Sequence, residues 1–60
     1  MSERITIIFE TGNAAFEDAP ASEIAEVLRR MATRVEEAGL LPAPKDRNGN
    51  VIGSVSVEPV

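Results

Sequence analysis

The sequence predicts an α+β domain of order β-α-β-β, in which a three-stranded, mainly antiparallel sheet carries one helix packed on one face. Three observations predict it. An alternating apolar run opens the chain in "ERITIIFE", apolar residues at helical spacing follow in "PASEIAEVLRRMATRVEEAGL", and Asn48-Gly49 signals a turn ahead of the alternating "VIGSVSV". Residues 1–60 then form one domain, with a strand over about 3–10, a helix over about 19–38 and a hairpin over about 41–58.

The first strand places Ile5, Ile7 and Phe9 on one face and Arg4, Thr6 and Ile8 on the other. The first face is expected in the core, and Ile8 is then free for a contact surface. In the helix, Ile24, Val27, Leu28, Met31, Val35 and Ala38 form one stripe opposite Glu23, Glu26, Arg29, Arg30, Thr33, Arg34 and Glu37. Glu26 and Arg30 stand four apart in the favourable order, a pairing worth a few tenths of a kcal/mol. Pro20 suits the first turn, where its missing N–H has no intrahelical partner to lose. Either Asp18 or Ser22 is expected to cap the start. Gly39 ends the helix in the left-handed conformation, with Leu40 folding back on Val35.

The hairpin alternates Val51, Val55 and Val57 with Ile52, Ser54 and Ser56. A three-residue loop ending in left-handed Gly49 matches these valines to Leu41, Ala43 and the stem of Lys45, a better apolar register than a two-residue loop allows. Pro42 and Pro44 confine the preceding strand to a sheet edge. The last strand is expected in the centre, antiparallel to both others; the alternative sets the first strand parallel to the second.

Ten acidic against six basic side chains leave a net charge of −4, which argues against a nucleic-acid binder with a broad basic footprint. There is neither cysteine nor histidine. That removes disulfides, the usual zinc ligands and most acid–base and thiol chemistry, so no metal, cofactor or catalytic residue is expected. No apolar run approaches the length of a membrane span, and the cytoplasm is the expected compartment. A chain this short buries only about 60% of its unfolded surface and usually needs a staple, which points to oligomerisation.

Glu17-Asp18 and Glu36-Glu37 read as carboxylates near helix ends rather than as a catalytic pair. "DRNGN" opens like a calcium loop, but Val51 stands at the sixth position and Val57 at the twelfth, so it reads as a turn. "TGNAAF" has one glycine and no following lysine, too little for a phosphate loop. Phe16 either turns inward and pins the loop, the expected outcome, or stays exposed as a partner anchor flanked by Thr11 and Asn13. In the first case Gly12 permits a tight exit from the strand and Asn13 bonds local backbone.

"FETGNAAFEDAP", the helix "EIAEVLRRMATRVEEAGL" and the hairpin "DRNGNVIGSVSV" together resemble a group of short bacteriophage and prophage proteins of uncharacterised function, with "ETGNAAFED" the most specific part. In that group a polar residue precedes the proline and can cap the helix; here the position is Ala19. The resemblance implies an accessory protein acting inside a bacterial cell and brings no activity, cofactor or site residue with it.

The leading expectation is a non-enzymatic interaction module that forms a homodimer or binds a host protein. Its candidate contacts are Ile8, Ile52, Thr11, Asn13 and Phe16, with Thr6, Ser54 and Ser56 on the same sheet face as Ile8 and Ile52. One alternative is an acidic inhibitor competing with nucleic acid on a host enzyme through Glu3, Glu10, Glu17 and Asp18. Another is weak nucleic-acid binding through Arg29, Arg30 and Arg34 with Lys45 and Arg47 at the hairpin tip.

Overall fold

A computed structural model describes residues 1–60. Strand β1 spans Glu3–Phe9, a 3-10 turn spans Ala14–Phe16, helix α1 spans Pro20–Ala38 and strand β2 spans Gly53–Pro59. The sheet has two strands, β1 and β2, and not the expected three. Of the segment before the turn, only Lys45 bridges the returning chain, at Val51. The prolines explain this. Pro42 and Pro44 have no N–H to offer a ladder, and Pro44 contributes only its carbonyl, which accepts from the Ile52 N–H at 2.9 Å. The turn itself has the three-residue form: the Asp46 N–H donates to the Asn50 carbonyl at 3.0 Å, the Gly49 N–H donates to the Asp46 carbonyl at 3.0 Å, and Gly49 has φ of 84°.

The strands pair antiparallel, with Ile5 opposite Val57, Ile7 opposite Val55 and Phe9 opposite Gly53 on one face. Arg4 opposite Glu58, Thr6 opposite Ser56 and Ile8 opposite Ser54 form the other. Gly53 is required where it stands. A Cβ there would run into the Ile8 carbonyl oxygen and lie 2.6 Å from the Phe9 Cα, both backbone atoms that cannot rotate away. Gly53→Ala is therefore expected to force the strands apart and cost about 2 kcal/mol in urea unfolding. Gly12, where a Cβ meets nothing within 4 Å and φ is not positive, should accept alanine with little change; the strand exit does not depend on it.

The second correction concerns the helix. Without a third strand there is no broad sheet for α1 to lie across, and its backbone makes no close approach to either strand. It packs instead on the 3-10 turn and on one end of the ribbon. The core is Val27 and Met31 of α1 with Ala15 and Phe16 of the 3-10 turn, ringed by Phe9, Ile24, Leu41, Ile52 and Val55. Burying Val27 completely, at 0% exposure, contributes about 2 kcal/mol. The outer part of the helical stripe stays uncovered, with Leu28 46% and Val35 41% exposed.

Neither Asp18 nor Ser22 caps the helix. Ala19 occupies that position without a side-chain bond, and Pro20 opens the first turn. At the other end Gly39 has φ of 69° and donates to the Val35 carbonyl at 2.9 Å. Leu40 remains exposed, and its neighbour Leu41 packs against the core.

Candidate functional site

The ribbon carries a row of apolar side chains that the core does not cover. Alternation aims Ile5, Ile7, Phe9, Val55 and Val57 at one face. Only its inner end, at Phe9 and Val55, meets the core. Towards the chain termini Ile5 is 52%, Ile7 39% and Val57 46% exposed. Ile8 stands on the reverse face at 60% exposure, among Arg4, Thr6, Ser54 and Ser56. The shape follows from this overhang. The molecule measures 42 × 22 × 17 Å with a radius of gyration of 12.4 Å, against about 10.4 Å for a compact domain of its length.

The structure separates the expected contact residues. Ile8 and Thr11 are exposed. Ile52 is half-buried against the core. Asn13 is committed to structure: its Oδ1 accepts from the Ala15 N–H at 3.0 Å, and its Nδ2 donates to Asp46 Oδ2 at 2.8 Å. Phe16 is 4% exposed, so it pins the loop and offers no anchor. Ile5 and Ile7, expected in the core, are exposed because no helix covers them, and Val57, opposite Ile5, is exposed with them. The signal that could have found them is the proline pair that removes the third strand.

Two buried carboxylates hold the loops. Asp46, 3% exposed, accepts from the Asn48 N–H (2.9 Å), the Asn50 N–H (3.0 Å), Asn50 Nδ2 (3.1 Å) and Asn13 Nδ2 (2.8 Å). Burial alone pushes this carboxyl up; the bonds from Asn50, Asn48 and Asn13 outweigh that and hold it below its ordinary value of 3.8. A carboxylate has about four acceptor positions, and all are occupied by N–H donors, which makes this group a structural clasp. Glu23, 7% exposed, accepts from the Arg47 N–H at 2.8 Å and from Arg30 at 3.3 Å, and Arg30 also donates to the Lys45 carbonyl at 3.0 Å. These bonds fasten the first turns of α1 to the loop. Arg30 thus goes to Glu23, and Glu26 pairs with Arg29 at 2.6 Å instead.

The basic residues come together in part. Arg29, Arg30, Arg34 and Lys45 line one open groove of about 550 Å³, over Val27, Met31 and Pro42, with Glu26 at its side. Arg47 is not among its walls. The acidic residues of the N-terminal third do not gather: Glu3 and Glu10 mark opposite ends of the first strand, about 23 Å apart at strand rise.

Comparison with protein-family models, with curated proteins and with solved structures finds no match to this chain. No helix is long and apolar enough to cross a membrane.

Proposed function

We propose that this domain is a non-enzymatic protein-interaction module that works through its β-ribbon. The observation behind the proposal is the uncovered apolar face at Ile5, Ile7 and Val57, carried on a two-stranded ribbon that extends beyond the core. An isolated two-stranded ribbon is at best marginally stable in water, and a third layer or strand supplies what it lacks. The "ETGNAAFED" resemblance supports a setting among phage accessory proteins in the bacterial cytoplasm.

The test compares the wild type with Ile5→Lys in light scattering and in capture from a bacterial lysate, after circular dichroism shows that both are folded. The wild type is expected to bind itself or a lysate protein, and the variant to lose that binding. Equal behaviour of the two proteins in both measurements would sink the proposal.

A second reading rests on Arg34 and Lys45, which line the groove without an acidic partner in an ion pair. It is a weak contact with the phosphates of a nucleic acid. Titration with labelled RNA and DNA at low salt tests it; the expected affinity falls steeply as salt rises, and an absence of binding at low salt removes it.

A further inference from the structure

The free edge of β1 is specific enough to name what covers it, granted that the ribbon is the interaction surface. We propose that the partner is a second copy of this chain, joined β1 to β1 antiparallel about a two-fold axis through Ile7.

The edge follows from hydrogen-bond parity. The Glu10 N–H donates to Ile52 at 3.2 Å and the Val60 N–H donates to Ser2 at 2.9 Å, at the two ends of the ribbon. In an antiparallel pair the residues facing the partner strand alternate with those facing away. The even-numbered residues of β1 therefore face β2, and the N–H and C=O groups of Glu3, Ile5, Ile7 and Phe9 point to the open side. The open side of β2 belongs to Gly53, Val55, Val57 and Pro59, and Pro59 has no N–H, a common way of blunting an edge. β1 is the edge with a complete set of donors and acceptors.

The register follows from charge and pattern. Centred on Ile7, the pairing sets Ile7 against the partner's Ile7, Ile5 against the partner's Phe9 and Arg4 against the partner's Glu10. Each outward-facing N–H of Ile5, Ile7 and Phe9 then meets a carbonyl, and two opposite-charge pairs form across the seam. Centring on Thr6 would instead oppose Arg4 to Ile8 and Glu3 to Phe9. Centring on Ile5 would oppose Glu3 to Ile7. Only the Ile7 register matches apolar to apolar and acid to base together, and a closed two-fold contact limits the assembly to a dimer. The antiparallel seam also brings the bare tip of each ribbon, at Ile5, beside the partner's Phe9, at the edge of a core.

The surface area agrees. The chain exposes 4395 Å², where a compact monomer of its mass exposes about 3,800 Å². The excess of about 600 Å² approaches the roughly 800 Å² that each partner buries in a specific complex of standard size.

Light scattering is expected to give twice the 6.4 kDa chain mass. Glu10→Arg sets like charges across both ends of the seam and should weaken the dimer about tenfold; adding Arg4→Glu together with Glu58→Arg, which keeps the ribbon's own charge pair at these two positions, should restore it. Ile7→Cys, in a chain with no cysteine of its own, should cross-link on mild oxidation, because directly hydrogen-bonded residues sit about 5.5 Å apart at Cα, within disulfide reach. Ser56→Cys on β2 should not. A wild type that stays at monomer mass at millimolar concentration overturns the homodimer, while binding of a lysate protein lost in Ile5→Lys would still uphold the interaction module. A dimer that ignores all the charge variants and does not cross-link through Ile7→Cys overturns this seam.

Discussion

Phe16→Ala is expected to remove about half or more of the stability of the domain at 25 °C. Phe16 is one of two aromatic side chains and one of four residues in the apolar core, at 4% exposure. Removing a buried phenylalanine costs about 3–5 kcal/mol. A 60-residue domain has only about 3–9 kcal/mol to lose. The loss is severe because nothing can collapse into the space: the 3-10 turn is held by Asn13, and the helix by the bonds of Glu23 to the 46–50 loop. Phe16→Leu should recover most of the stability, at a cost of roughly 1 kcal/mol. Urea unfolding followed by circular dichroism checks both, and a Phe16→Ala midpoint within error of the wild type would refute the packing described.

The second large effect is expected at Asp46. Alanine there strips the acceptor from four donors at once and leaves the Asn48 and Asn50 amides and the Asn13 side chain without partners in a part-buried place. The 46–50 loop should lose its shape, and with it the bond from the Arg47 N–H to Glu23 that ties the loop to α1. Amides of residues 47–50 should then exchange with solvent at rates near those of the unfolded chain. Asparagine is no substitute, because its NH₂ would face donors. The same carboxylate gives the domain an acid limit. Its folded pKa is depressed below the ordinary 3.8, so the unfolded state binds the proton more readily. The stabilisation is full above the unfolded value and is lost as pH falls through the folded one. Stability measured from pH 6 down to pH 2 should decline below about pH 4, and the decline should be smaller in Asp46→Ala.

What could be read from the residues divides by distance along the chain. β1, α1, the left-handed Gly39 and the three-residue turn at Gly49 are written in periodicities and turn chemistry that span a few neighbours. The third strand failed on Pro42 and Pro44: apolar alternation continued through a segment whose backbone had too few donors to form a ladder. The inward turn of Phe16 and the local bond of Asn13 to Ala15 were readable from scarcity of aromatics and from loop chemistry. The clasp at Asp46 was not. Its bonds from Asn48 and Asn50 belong to local turn chemistry, but the donor that joins it to the 3-10 turn, Asn13, lies 33 positions away, and nothing near either residue announces the other. The free face of the ribbon is hidden from the sequence for the same reason, since whether Ile5 and Val57 are covered depends on where α1 docks.

The two strands come from opposite ends of the chain, with residues 10–52 closing the connection between them. Everything in the core except Phe9, Val55 and their neighbours lies inside that span. Folding should therefore begin with the helix, the 3-10 turn and the clasped loop, and zip the ribbon from Phe9–Gly53 outward as its final step, because bringing distant segments together is entropically uphill until local structure shortens the gap. In reverse, the ribbon should fray from the Ser2–Val60 tip while the helix stays intact. Native-state hydrogen exchange would show this as two tiers of protection, with the amides of Arg4 and Glu58 in the lower and those of Val27 and Met31 in the upper.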